Sequence, residues 1–149
     1  MRRVLFVCMG NICRSPTAEG VMRHLLRERG LEDAIEVASA GTGGWHVGDP
    51  PDARSTEAAR RRGILLEGAA QQVSRADFDR YDLLVAMDRS NLRDLLALAP
   101  DEEARAKVRL LLHDDDVPDP YYGGPSGFDD VLDLVTGGCE RLLDELAPS

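Results

Sequence analysis

The stretch Val4-Leu5-Phe6-Val7-Cys8-Met9-Gly10-Asn11-Ile12-Cys13-Arg14-Ser15 decides how this chain is read. Val4 to Val7 is a short apolar run rich in strand-favouring residues, which predicts a buried first strand. Ser15-Pro16-Thr17-Ala18-Glu19 has the marks of a helix start: a serine cap, proline in the first turn and an early carboxylate. Val21, Met22, Leu25 and Leu26 then fall on one helical face, and Gly30 ends the helix. The loop between strand and helix carries a cysteine and an arginine six positions apart. Its backbone N–H groups can curl inward as a nest, and the helix behind aims its positive end at the same spot. An anion is favoured there, so Cys8 is expected to be held as a nucleophilic thiolate. Arg14 offers a planar fork that fits two oxygens of a phosphoryl group. Composition predicts roughly 0.025 chance occurrences of Cys-x5-Arg-[Ser/Thr] in such a chain, and the flanking strand and helix lower that further.

Outward from this unit, strand and helix signals alternate. Ile35 to Ser39 reads as a second strand, followed by a glycine-rich loop, Gly41 to Gly48, with the only tryptophan, Trp45. Pro50-Pro51 opens a helix over Ala53 to Arg62, closed by Gly63, and Ala76-Asp77-Phe78 reads as a short helical turn. Tyr81 to Met87 is the clearest strand, with a helix from about Arg89 to Leu98 behind it. Val108 to Leu112 reads as a fourth strand, Asp114 to Gly127 as a long acidic loop, and Phe128 to Leu146 as a last amphipathic helix. This alternation predicts an α/β fold: a single three-layer domain over residues 1–149, its central four-stranded parallel sheet covered by helices on both faces. Ligands of such sheets bind beyond the carboxyl ends of the strands, where the Cys8 loop, the Trp45 loop and the acidic loop all fall.

Composition excludes other classes. The chain is 43% hydrophobic and 30% charged, and no apolar stretch approaches the ~20 residues of a membrane span. The apolar run after Met1-Arg2-Arg3 is too short for a signal core, so a cytoplasmic location is expected. Three cysteines, an odd number, suit a reducing compartment better than a disulfide framework. A net charge of −9 argues against a nucleic-acid partner. The same charge repels phosphate esters, so an anion site has to be built locally from amides, a helix end and arginines.

The loop lacks the lysine of a nucleotide-binding P-loop. Phosphoryl transfer to Cys8 would expel an alkoxide or phenoxide, so a carboxylic acid at the rim is needed to protonate it. Asp119, in Asp119-Pro120-Tyr121-Tyr122, is the candidate: Pro120 stiffens the backbone, and the tyrosines shield the acid from water. Asp114, Asp115 and Asp116 read as a solvated, charge-repelling loop. They do not read as a metal site, since no ligand spacing accompanies them beyond His113.

Cys8-Met9-Gly10-Asn11-Ile12-Cys13-Arg14-Ser15 together with Asp119-Pro120-Tyr121-Tyr122 resembles the low-molecular-weight protein tyrosine phosphatases. The likeness continues through Ser39-Ala40-Gly41-Thr42, Trp45-x-x-Gly48-Asp49-Pro50-Pro51-Asp52, Asp77-Phe78-x-x-Tyr81-Asp82 and Met87-Asp88-x-x-Asn91-Leu92, covering nearly the whole chain. The resemblance implies that Cys8 attacks phosphorus to form a phosphocysteine while Arg14 holds the equatorial oxygens. Asp119 would protonate the tyrosyl oxygen and then activate water, and Ser15 would hydrogen-bond the thiolate. Asn11, partnered by Ser39, would keep the loop in shape. The expected strand order is 2-1-3-4. No metal or organic cofactor is implied, the partners are phosphotyrosine proteins or small aryl phosphates, and a monomer is expected.

A phosphotyrosine ring is longer than a phosphoserine side chain and stacks on aromatics, so Met9, Ile12, Trp45, Tyr121 and Tyr122 are expected to wall a deep slot. His46 reads as a surface residue, and His24, His113 and Cys139 as structural. Cys13 has two readings: the family's reversible disulfide with the nucleophile, or a small buried residue at the helix start. One departure stands out. Many members carry His and Arg before the Gln that leads to the third strand, the His helping to hold the loop asparagine. Here the stretch is Gly68-Ala69-Ala70-Gln71-Gln72, which predicts a weaker buttress for Asn11. Two alternatives accompany the phosphatase reading. A thioredoxin-coupled arsenate reductase of the same fold needs relay cysteines, yet Met87 to Pro100 has none and Cys139 lies elsewhere. The other is a phosphotyrosine-binding or redox-sensing module that does not turn over.

Overall fold

The computed structural model describes residues 1–120 and 126–147. The elements run β1 (Arg2–Cys8), α1 (Arg14–Arg29), β2 (Ile35–Gly41), α2 (Ala53–Arg60), α3 (Asp77–Arg80), β3 (Leu83–Ala86), α4 (Arg89–Leu98), α5 (Glu102–Arg105), β4 (Val108–Leu110) and α6 (Gly127–Leu146). All strand pairs are parallel, and the sheet order is β2-β1-β3-β4, as expected.

Side chains of a strand alternate between faces, and β1 uses this to build two cores. Val4, Phe6 and Cys8 point to one side, into a core shared with α1, α2 and α6. Leu5 and Val7 point to the other, where Leu84, Ala86, Phe78 and Leu95 pack. Helices therefore cover both faces. The parity also decides the chemistry: Cys8 falls in the register of Val4 and Phe6, so its sulfur leaves the sheet on the side of α1.

Several boundaries differ from the sequence reading. Strands β1 and β2 extend further, with Cys8 paired to Gly41 at the carboxyl edge, because the loop after Cys8 and the segment after β2 continue to bond each other. Strands β3 and β4 are shorter than expected, and α5 is an element the sequence reading lacks; Asp101 caps it by accepting from the Ala104 N–H at 2.8 Å. Ser15 is not the cap of α1. The helix starts at Arg14 after Cys13, with no side-chain cap, and the Ser15 hydroxyl is directed into the site instead. At the far end, Gly30 adopts a left-handed conformation (φ 66°) and closes the helix as expected.

The close approach of β2 to the loop needs glycine at position 41. A Cβ there would lie 2.7 Å from the Met9 carbonyl oxygen and 3.2 Å from the Asn11 nitrogen, both backbone atoms. Gly41→Ala is expected to destabilise the fold by about 1–3 kcal/mol, the usual cost of overpacking. A urea unfolding midpoint unchanged from the wild type would show that the loop backbone yields freely.

Candidate active site

Three carbonyls of the loop are engaged from outside. Cys8 O accepts from Thr42 N at 2.9 Å, Met9 O from Gly43 N at 2.9 Å, and Ile12 O from Asp52 N at 2.7 Å. A trans peptide points its N–H opposite its carbonyl, so the amides of Met9, Gly10 and Cys13 are turned toward the inner side. That side is a hollow of about 130 Å³ lined by Cys8, Met9, Gly10, Ile12, Cys13, Arg14, His46 and Asp119. The Asn11 N–H donates to Cys8 Sγ at 3.3 Å, and Ser15 Oγ lies 2.9 Å from the same sulfur. The hollow is thus a nest of donors closed by the N-terminus of a 16-residue helix.

Arg14 is buried, and its charge has to be matched. Its Nη1 donates to Asp88 Oδ2 at 2.6 Å and to Val117 O at 3.0 Å, while Nη2 lies 3.8 Å from Asp119 Oδ2. Burial works against the charged guanidinium, but Cys8 and Asp88 outweigh it and hold it further toward the cation. Buried Nε has no hydrogen-bond partner among the described residues. The Nε–Nη2 edge is the one suited to bidentate contact with two oxygens of a tetrahedral anion. Asp88 is a partner of Arg14 that the sequence reading does not single out. Its Oδ1 caps α4 through Asn91 N at 2.7 Å, leaving Oδ2 for Arg14. The signal available was the need of a buried arginine for a nearby carboxylate.

The loop bends at Asn11, which has φ 58°, a region asparagine tolerates better than most residues. Asn11 is fully held. Its Nδ2 donates to Ser15 Oγ at 2.8 Å and to Ser39 Oγ at 3.0 Å, and its Oδ1 accepts from Gln71 N at 3.0 Å. Ser39 in turn donates to Glu19 Oε1 at 2.6 Å, and Gln71 Nε2 donates to Ser39 O at 2.9 Å. Glu19 is paired with Arg23, which reaches Val37 O of β2 at 3.1 Å. The predicted weak buttress is therefore corrected: backbone at Gln71 and the carboxylate of Glu19 carry Asn11 and Ser39 without a histidine. Ser15, Glu19 and Arg23 are spaced by four, a polar stripe along one side of α1 that meets Asn11 in the loop before it.

The remaining expected residues are placed unevenly. Trp45 does not line the hollow; it is 76% exposed, and its ring lies over Gly43, where a Cβ would sit 1.8 Å from a ring carbon. The tight turn around it, with Val47 N bonded to Gly44 O and Asp49 N to His46 O, brings the next side chain inward instead. His46, read as a plain surface residue, lies on the rim beside Gly10 and 3.1 Å from Asp49 Oδ2. Tyr121 and Tyr122 lie outside the described residues. All three cysteines are free and buried. Burial pushes the Cys13 thiol up to about 12, with the Ser55 hydroxyl only partly opposing, and raises Cys139 as well. Cys139 sits in α6 against Ala18 O, far from any relay to Cys8. No group of three or more potential metal ligands occurs among the described residues.

A thiol at the floor of an amide nest, an arginine edge beside it and a carboxyl at the rim define a cysteine-dependent, phosphate-handling site. The comparisons with known proteins agree: residues 3–149 match the family model for low molecular weight phosphotyrosine protein phosphatase, and the chain belongs to that family. A low molecular weight protein-tyrosine-phosphatase of Streptomyces coelicolor is 48% identical over 149 residues, covering 95% of this chain and 91% of that one. The crystal structure of YfkJ from Bacillus subtilis is similar with a TM-score of 0.90 at 45% identity, covering 97% of this chain and 94% of that chain. A protein tyrosine phosphatase from Entamoeba histolytica, crystallised with Hepes in its active site, gives a TM-score of 0.94 at 36% identity, covering 98% and 97%.

Two outcomes are expected from this geometry. A thiol raised to about 12 stays protonated until strongly alkaline pH, so iodoacetamide near pH 7 should label Cys8 and spare Cys13 and Cys139. Peptide mass mapping reads this directly, and equal labelling of Cys13 would contradict the burial argument. Asn11→Ala removes three hydrogen bonds, at about 1 kcal/mol each, and leaves a strained φ. It should lower stability by about 3 kcal/mol and weaken vanadate binding, and an unaltered vanadate affinity would show that the loop holds its shape another way.

Proposed function

We propose that residues 1–149 act as one phosphatase domain that hydrolyses phosphotyrosine and other aryl phosphate monoesters at the Cys8 hollow. The observation that carries this reading is the convergence of Cys8 Sγ, the unpartnered Arg14 Nε and Asp119 on one donor-lined cavity. In the first step Cys8 Sγ bonds to phosphorus as the P–O bond to the aryl group breaks. Asp119 supplies a proton to the departing oxygen, so no phenoxide is released. Arg14 and the loop amides hold the equatorial oxygens, where charge is greatest. In the second step Asp119, now ionised, takes a proton from water. The new P–O bond forms, the P–S bond breaks, and inorganic phosphate leaves with Cys8 again a thiolate. Ser15 supports both steps: Asn11 donates to its oxygen, leaving its own hydrogen for the sulfur at 2.9 Å.

Selectivity for aromatic esters comes from depth. Met9 lines the hollow and is partly exposed, with the exposed Trp45 indole two residues beyond Gly43, whose amide binds Met9 O. An aryl ring attached to a seated phosphoryl group would extend past Ile12 toward these apolar surfaces. A phosphoserine peptide would need its backbone to enter the hollow. The reading includes a monomer acting in the cytoplasm, where buried free thiols stay reduced. No helix among the described residues is long and apolar enough to cross a membrane.

The test is turnover on phosphotyrosine, phosphoserine and phosphothreonine peptides without added metal. Phosphotyrosine is expected to be hydrolysed at least ~10²-fold faster than the others, since their phosphorus cannot reach Cys8 in line. Cys8→Ser should abolish turnover with the fold intact. Activity retained in that variant would remove Cys8 from the reaction, and arsenate-dependent oxidation of a thiol donor without ester hydrolysis would reverse the assignment.

A further inference from the structure

The acidic run Asp114-Asp115-Asp116 reads from sequence as a solvated stretch without a task, and for Asp116 the structure differs. Its Oδ1 accepts from the backbone N–H of Arg89 at 3.0 Å and lies 3.5 Å from Arg89 Nη1. That N–H belongs to the first residue of α4, whose amide two residues on, at Asn91, is already capped by Asp88. Asp116 thus caps α4 from another segment. The Arg89 guanidinium reaches back to the Asp114 carbonyl, so the two residues clasp each other. Asp116 N is itself bonded to Asp115 Oδ1 at 2.9 Å, which stiffens the turn.

The three residues after Asp116 give the clasp its meaning. Val117 is tied at both ends, its N–H to Met87 O at 2.8 Å and its carbonyl to Arg14 Nη1 at 3.0 Å. Pro118 fixes its own φ, and Val117 and Asp119 both precede proline, which confines them to extended backbone. The segment from Val117 to Asp119 is therefore a stiff strut. Contacts at Val117 fix where the strut starts; a second contact, one residue earlier, fixes the angle at which it leaves. We propose that Asp116, clasped by Arg89, is a positioning residue for proton transfer, setting the angle at which Asp119 meets the leaving oxygen. This rests on Asp119 being the general acid.

Leaving-group dependence separates this role from simple stabilisation. Phenol is a poor leaving group and needs the proton, whereas p-nitrophenol departs with little help. Asp116→Ala is expected to lower kcat/KM for phenyl phosphate about 10-fold, the scale of a small misplacement, and for p-nitrophenyl phosphate less than about 2-fold. Asp116→Asn keeps an oxygen that can accept from Arg89 N–H and should retain most of the phenyl phosphate rate. Arg89→Ala, which keeps the backbone donor, should show the same selectivity at about 3-fold. Asp119→Asn is the reference: it should lose phenyl phosphate turnover selectively, and Asp116→Ala should add nothing on that background. Selective loss in Asp119→Asn with equal or no loss in Asp116→Ala would overturn the positioning role and leave the acid assignment standing. An unselective Asp119→Asn would remove the acid assignment itself.

Discussion

A loop of seven residues has to turn its carbonyls outward and its amides inward, and the rest of the molecule is arranged around that demand. No regular element satisfies outward carbonyls of this kind, so they are met by donors from other segments: Thr42 and Gly43 after β2, and Asp52 before α2. The bend at Asn11 (φ 58°) costs free energy of order 1 kcal/mol or more. It persists because the side chain is held on three sides. Even the glycine that ends β2 serves the loop, since any side chain there meets its backbone. The sheet thus does more than carry the site; its carboxyl edge is the outer wall that keeps the loop curled.

Arg14 ties this loop to the other half of the fold. Through Asp88 it reaches the start of α4, and through Val117 it reaches the segment that carries Asp119. Removing one partner of such a buried pair typically costs about 3–5 kcal/mol, so the guanidinium holds the fold together as well as lining the hollow. The division of labour inside it is clear: Nη1 is spent on the protein, while Nε and Nη2 remain directed to the hollow. Asp88 divides its oxygens in the same way between a helix cap and the arginine.

The fold is legible where apolar periodicity is strong. β1, α1, α4 and α6 emerge from runs such as Val4 to Val7 and from glycine or acidic caps, and the parallel order emerges from their alternation. The carboxyl ends of β1 and β2 are not legible, because their last pairs depend on contacts between loops rather than on local propensity. Cys8, Arg14 and Asp119 are legible as chemistry, since a nucleophile, an anion clamp and an acid are needed together. Asp88 and Asp116 do not stand out, because a carboxylate in a polar loop looks the same whether it caps a distant helix or faces water. The missing histidine before Gln72 suggests a weak loop; Glu19, eight residues after Asn11, supplies the other end of the buttress through Ser39. That pairing crosses from α1 to β2 and has no local signature. Ser15 misleads in the opposite sense, as its position fits a cap while its hydroxyl is needed by sulfur.

The chain contains a single tryptophan, and that indole stands on the glycine turn whose amide grips Met9 O, more than three-quarters open to water. Every photon of indole emission therefore originates a few residues from the mouth of the cavity and none from the interior. The molecule thus carries one optical reporter, set on its surface beside the turn that grips the loop and outside both cores.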